Sequence, residues 1–186
     1  MINNKIDKQY QNVLDQYMMH LVELTEPIYK KYNFTPNELT TLSLVFGLLC
    51  IFFILSKSPI LASICIFLSY YYDVLDGYYA RKHNMETKIG YHYDYLSDFI
   101  VIVGISSAIR GVYENRSSMI NIMSTLLNIL IYINIGCQEK KLGKKNESIT
   151  GVLQNFCYDE KLMYISKYFT KSTYILFIIL ILNMCD

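Results

Sequence analysis

Long apolar runs alternate with short polar breaks along most of this chain, at lengths that suit membrane helices. Leu39 to Leu55 is apolar and close to the minimum spanning length, and Ser56-Lys57-Ser58-Pro59 after it reads as a turn. Ile60 to Tyr72 starts a second run, which must continue through Arg81 to reach spanning length. Ile89 to Ile109 is a third and Met119 to Ile135 a fourth; the fourth tolerates Asn121, Asn128 and Asn134, which read as hydrogen-bonders between helices. Tyr174 to Met184 is strongly apolar but short. Thr150 to Tyr168 is interrupted by Asp159, Glu160 and Lys161; it is expected to span with its charges shielded inside the bundle, the alternative being a helix at the interface. The pattern predicts an all-α, multi-pass membrane bundle.

The first 33 residues follow a different rule. Ile6, Tyr10, Val13, Tyr17, Leu21, Leu24 and Ile28 recur at three- and four-residue steps among polar neighbours. That is the period of an amphipathic helix, lying in the plane of the membrane surface and kinked or broken near Pro27. His20 belongs to its polar or interfacial side. Thr35 then caps a helix with Pro36 at its first position.

At 186 residues the chain fits one domain, and 53% hydrophobic residues is more than an ordinary soluble domain carries. A net charge of +1 gives no global footprint for nucleic acid, so the cations matter by position. Lys5, Lys8, Lys30, Lys31, Arg81, Lys82, Lys88, Lys140, Lys141, Lys144 and Lys145 fall in the breaks on one side, against Lys57, Arg110 and Arg116 on the other. By the positive-inside rule the N-terminus faces the cytoplasm. The Lys140 to Lys145 run reads as a solvated anchor or as a holder of anionic lipid headgroups. The five cysteines, Cys50, Cys65, Cys137, Cys157 and Cys185, are odd in number and lack metal-type spacing, so free thiols are expected. No cleavable signal peptide is expected either, since the N-terminus is polar and lysine-bearing.

One stretch breaks the apolar pattern with chemistry. From Asp73 to Asp98 the chain reads DVLDGYYARKHNMETKIGYHYDYLSD, with four aspartates set against apolar runs. Ionisable groups in such a place are functional candidates. At about 100° per residue Asp73, Asp76, Gly77 and Ala80 share a helical face with Arg81 at its rim, while Gly90, Asp94 and Asp98 form an i, i+4, i+8 stripe on the next helix. Two helices joined by Lys82 to Ile89 bring these carboxylates together. Such a cluster repels itself unless cations or shared protons neutralise it, and an all-oxygen donor set suits Mg²⁺ or Mn²⁺ better than zinc.

The pattern Asp73-x2-Asp76-Gly77-x2-Ala80-Arg81-x8-Gly90-x3-Asp94-x3-Asp98 resembles the signature of the CDP-alcohol phosphatidyltransferase family at every fixed position. The resemblance implies about six transmembrane helices, a homodimer and transfer of a phosphatidyl or phosphoalcohol group from a CDP-alcohol with release of CMP. It implies two Mg²⁺ or Mn²⁺ ions held by Asp73, Asp76, Asp94 and Asp98, with Asp98 as general base. It assigns Asp76, Gly77, Ala80 and Arg81 to the CDP-alcohol. Pro36, Asn37 and Thr40 resemble the family's Pro-Asn-x-x-Thr start of the first membrane helix, near the nucleotide; an ordinary helix cap explains them as well. Gly90 is expected to permit close helix packing, whereas His83 and His92 receive no role.

Transferring a substituted phosphate between hydroxyls requires charge neutralisation on both the attacking and the leaving oxygen, which carboxylate-held cations supply. The motif specifies donor and chemistry but not the acceptor: inositol, glycerol 3-phosphate, serine and diacylglycerol all stay open. The chain's small size fits a CDP-diacylglycerol enzyme a little better than the longer choline or ethanolamine phosphotransferases. Two other readings remain, a non-enzymatic cation-binding membrane protein and an inactive relative. An ion path would need a second acidic layer, and none occurs in Leu61 to Tyr72 or Ile100 to Ile109.

Overall fold

The structure is a computed structural model that describes residues 12–113, 117–141, 157 and 160–184. Lys5, Ile6, Lys8, Tyr10, Arg116, Lys144, Lys145, Cys185 and most of the 150–159 stretch, all of which entered the expectations above, lie outside the described residues. The described residues form seven helices and no strand: α1 (Val13–Lys31), α2 (Pro36–Leu55), α3 (Pro59–Lys82), α4 (Lys88–Val112), α5 (Ser117–Lys141), α6 (Glu160–Ser166) and α7 (Lys171–Met184). Pro36–Leu55, Pro59–Lys82, Lys88–Val112 and Tyr164–Met184 are long and apolar enough to cross a membrane, and Ile122–Gln138 is a shorter apolar helix. The all-α, multi-pass expectation is met. Of the 150–168 stretch, the helical part described is the seven residues of α6 and the turn after it.

The chain divides into two compact units, Tyr17–Asn121 with Ile175–Asp186, and Met1–Gln16 with Ile122–Tyr174. In the first, α2 and α3 run antiparallel: Thr40 meets Asp76, and Ser43 Oγ donates to the Ser69 carbonyl at 2.9 Å while Ser69 Oγ donates to the Ser43 carbonyl at 2.9 Å. Helices α2 and α4 run parallel, since Thr41 and Tyr93 share a hydrogen bond of 3.0 Å and Val101 lies against Gly47 further along both. The starts of α2 and α4 therefore share one end of this bundle with the finish of α3. A Cβ on Gly47 would sit 2.3 Å from Val101 Cγ2, and one on Gly104 2.3 Å from Ile51 Cδ1, so these two glycines permit the close α2–α4 crossing.

The turns are sharp because α1, α2 and α3 all finish the same way. Asn33, Lys57 and Asn84 adopt φ of 56°, 54° and 54°, and in each case the next residue's N–H bonds to the carbonyl five residues before it, as Met85 does to the Ala80 carbonyl at 2.8 Å. This left-handed closure satisfies helix carbonyls that would otherwise lack partners. Helix α2 starts as expected: Thr35 and Glu38 form a reciprocal capping box with Pro36 in the first turn. Helix α1 continues through Pro27 rather than breaking there. Contacts with α3 on both sides of the proline hold it, with Thr25 bonded to Tyr71 Oη at 2.5 Å and Tyr29 Oη donating to Tyr72 Oη at 3.4 Å.

In the second unit Cys137 and Cys157 are disulfide-bonded across 20 residues, which corrects the expectation of free thiols for these two. An odd cysteine count conceals a pairing that depends on chain path. Lys140 Nζ donates to the Cys157 carbonyl at 2.7 Å and brings that residue alongside the last turn of α5. Cys50 and Cys65 are free and buried, as expected. Asn134 accepts from Ser166 Oγ at 3.1 Å, a bond between helices as anticipated, whereas Asn128 donates within its own helix to the Ser124 carbonyl.

Candidate functional site

Local structure places each acidic side chain. Asp73 and Asp76 lie in the last turns of α3, and Asp94 and Asp98 in the second and third turns of α4, whose start is fixed by Thr87 accepting the Gly90 N–H at 3.0 Å. One carboxylate oxygen from each of Asp73, Asp94 and Asp98 lies within 4.8 Å of the others, and all three residues are half-buried. Oxygens on one octahedral Mg²⁺ lie at most about 4.2 Å apart, so small side-chain rotations bring these three onto a single hard cation.

Asp76 does not join that group. It is 4% exposed, and its Oδ2 accepts a hydrogen bond from Thr40 Oγ1 at 2.5 Å. Three residues along a helix amount to about 60° of rotation. That is enough for Asp73 to meet the α4 carboxylates while Asp76 meets α2. The Thr40 hydroxyl also lies 3.1 Å from the Pro36 carbonyl, so Asp76 and the first turn of α2 compete for one proton.

An open cleft with an empty volume of about 540 Å³, part of it open to solvent, is lined by Asp76 and, of the acidic trio, by Asp94; Asp73 and Asp98 are not among its lining residues. Pro36, Asn37 and Thr40 line it from α2; Asp76, Gly77, Ala80 and Arg81 from α3; Gly90 and Asp94 from α4. Every residue that the sequence pattern connected with the CDP-alcohol faces this one cleft. The Arg81 guanidinium lies over Gly77, where a Cβ would come 3.2 Å from Nη1, so the missing side chain leaves room for the arginine. Gly90 serves closeness too: a Cβ there would stand 2.9 Å from Thr87 Oγ1 and 3.1 Å from Asn37 Oδ1. Met85, Glu86, Thr87 and Tyr91 also line the cleft, and sequence reasoning missed them. Their one signal was position, in the short connection between two motif-bearing helices.

Beside the cleft lies an ion-paired group that the sequence reading did not foresee. Glu26 of α1 is 1% exposed and takes the Lys82 ammonium on Oε2 and His83 Nε2 on Oε1, the latter at 2.6 Å. Burial alone would raise the Glu26 carboxyl, but hydrogen bonds from Lys82 and His83 outweigh it and hold the group below its ordinary value. His83, expected to be an unremarkable loop residue, is the C-cap of α3 and a partner of this carboxylate. His20 and His92 are exposed.

Residues 33–184 match the model of a family described as CDP-alcohol phosphatidyltransferase. No curated protein and no solved structure matches the chain. The match covers α2 to α7 and starts after α1.

Proposed function

The chain belongs to the CDP-alcohol phosphatidyltransferase family, whose members transfer phospholipid head groups at membranes, and on that premise we propose that it moves a phosphatidyl group from CDP-diacylglycerol to an acceptor hydroxyl with release of CMP. The observation that carries the reading is the single cleft in which the nucleotide-side candidates, Pro36, Asn37, Thr40, Gly77, Ala80 and Arg81, adjoin Asp76 and Asp94.

Asp73, Asp94 and Asp98 fit a divalent cation by donor chemistry and spacing, with Asp76 contributing from the α2 side. Mg²⁺ or Mn²⁺, two ions by resemblance, would offset diphosphate charge and stabilise the attacking and leaving oxygens. The rest belongs to the chain. Arg81 gives charge-assisted hydrogen bonds to phosphate, and Thr40 fixes Asp76 by its hydroxyl. Gly77 and Ala80 leave room for the nucleotide against the helix backbone. Asp98 takes the proton of the acceptor hydroxyl as its oxygen bonds to the distal phosphorus; the bond from that phosphorus to the CMP oxygen breaks, and CMP leaves. Lysines at the same end, together with the positive-inside rule, support a cytoplasmic N-terminus and site. A homodimer is part of the proposal.

The test is purified protein in detergent with labelled CDP-diacylglycerol and Mn²⁺, offered inositol, glycerol 3-phosphate, serine or water in turn. Acceptor-dependent CMP release with one of the three alcohols is expected. No release with any of them, with the donor intact, would contradict the reading.

A further inference from the structure

The Glu26 group is unaccounted for by the chemistry above, and Glu26 itself precedes the residues that match the family, whereas its partners Lys82 and His83 lie within them. A carboxylate this deeply buried is costly to hold unless it is fully paired. Here both oxygens are engaged, and their partners are consecutive residues at one place, the last helical residue of α3 and its C-cap. The residue just before them is Arg81, which lines the cleft; the residues just after, Met85, Glu86 and Thr87, line it as well.

Between the two sets lies the turn that the clamp secures. Asn84 sits at φ 54°, the Met85 N–H bonds to the Ala80 carbonyl at 2.8 Å and the Asn84 N–H to the Arg81 carbonyl at 3.4 Å. A non-glycine residue in the left-handed region persists where its surroundings over-determine it. The surroundings include the Tyr79 ring, 4.5 Å from the His83 ring, and the Tyr78 ring, 5.4 Å from Lys82 Nζ. Glu26 adds a contact from outside this segment that holds two successive residues at once.

We propose that Glu26 is a positioning residue for the donor: by clamping Lys82 and His83 it sets the C-terminal turn of α3, and through it the aim of Arg81 and the wall formed by Met85 to Thr87. This rests on the cleft being the CDP-alcohol site. Glu26 does not touch Asp73, Asp94 or Asp98, so its contribution falls on nucleotide binding and not on the metal.

The experiment uses CMP as the probe, with wild type, Glu26→Gln, Arg81→Ala and their double variant in one detergent, and with Mn²⁺ affinity and melting temperature measured on the same samples. Expected for Glu26→Gln is a weakening of CMP binding, and a rise in KM for CDP-diacylglycerol, of about tenfold, with kcat and Mn²⁺ affinity little changed. In the Arg81→Ala background the same substitution should cost little more, because its effect passes through Arg81. Lys82→Met, which leaves the Glu26–His83 contact, should shift CMP binding in the same direction by less and stands in if Glu26→Gln does not fold. Unchanged CMP affinity with a lowered melting temperature, or full additivity with Arg81→Ala, would overturn the proposal. Wild type that binds no CMP would overturn the functional reading beneath it.

Discussion

The two ends of the α2–α3–α4 bundle are built from the same three helices and could hardly differ more. At one end α2 and α3 meet through Thr40 and Asp76, Asp73 meets Asp94 and Asp98, and an open cleft is lined by Thr40, Asp76 and Asp94. At the other, Gly47 and Gly104 draw α2 and α4 so close that an added Cβ would overlap Val101 or Ile51. From Thr41 to Leu55, Pro59 to Tyr72 and Phe99 to Ile109 there is no Asp, Glu, Lys or Arg. A cation path would continue through a second acidic layer, whereas a phosphoryl-transfer site needs its charged groups at one level only. The contrast favours the enzyme over the ion conductor.

The largest effect should come from removing a carboxylate at the open end. Asp94→Ala is expected to lose Mn²⁺ binding and turnover together, the latter by about a thousandfold or more. Because metal binds only the folded protein, wild type should melt higher with saturating Mn²⁺ and lower with chelator, while Asp94→Ala should respond to neither. If acid stabilised the wild type and chelator did nothing, shared protons rather than metal would be neutralising the cluster.

A smaller and opposite effect is expected from glycines at the two ends. Gly47→Ala forces its Cβ to within 2.3 Å of Val101 Cγ2, a short and stiff side chain. Overpacking of this kind costs about 1–3 kcal/mol and should lower the melting temperature by several degrees while KM for the donor stays put. Gly77→Ala meets only the movable end of Arg81, 3.2 Å away, so it should leave stability nearly unchanged and raise the donor KM instead. Equal melting temperatures for both variants would erase the distinction between a packed end and a working end.

How much of this was legible beforehand divides along the same line. Asp73, Asp94 and Asp98 could be placed together because helical period and a short connection leave little freedom, and Pro36, Asn37 and Thr40 could be joined to Gly77 and Arg81 by pattern. The bond from Thr40 of α2 to Asp76 could not be read, since about 60° of rotation matters only once the flanking helices are in place. Glu26 was hidden for a different reason. Its partners stand 56 and 57 residues away, and on an amphipathic helix one more acidic residue reads as solvated surface. The Cys137–Cys157 bond likewise depends on a chain path that composition does not encode. Local periodicity carries the site, and long-range pairing carries what steadies it.

The most direct test of the central claim separates proton transfer from metal binding at Asp98. CMP release from CDP-diacylglycerol is measured for wild type and Asp98→Asn with bound Mn²⁺ counted in the same samples. The account predicts turnover lowered by about a hundredfold to ten-thousandfold in Asp98→Asn, with CMP affinity kept and Mn²⁺ still bound through Asp73 and Asp94. Turnover like that of the wild type in Asp98→Asn would contradict it.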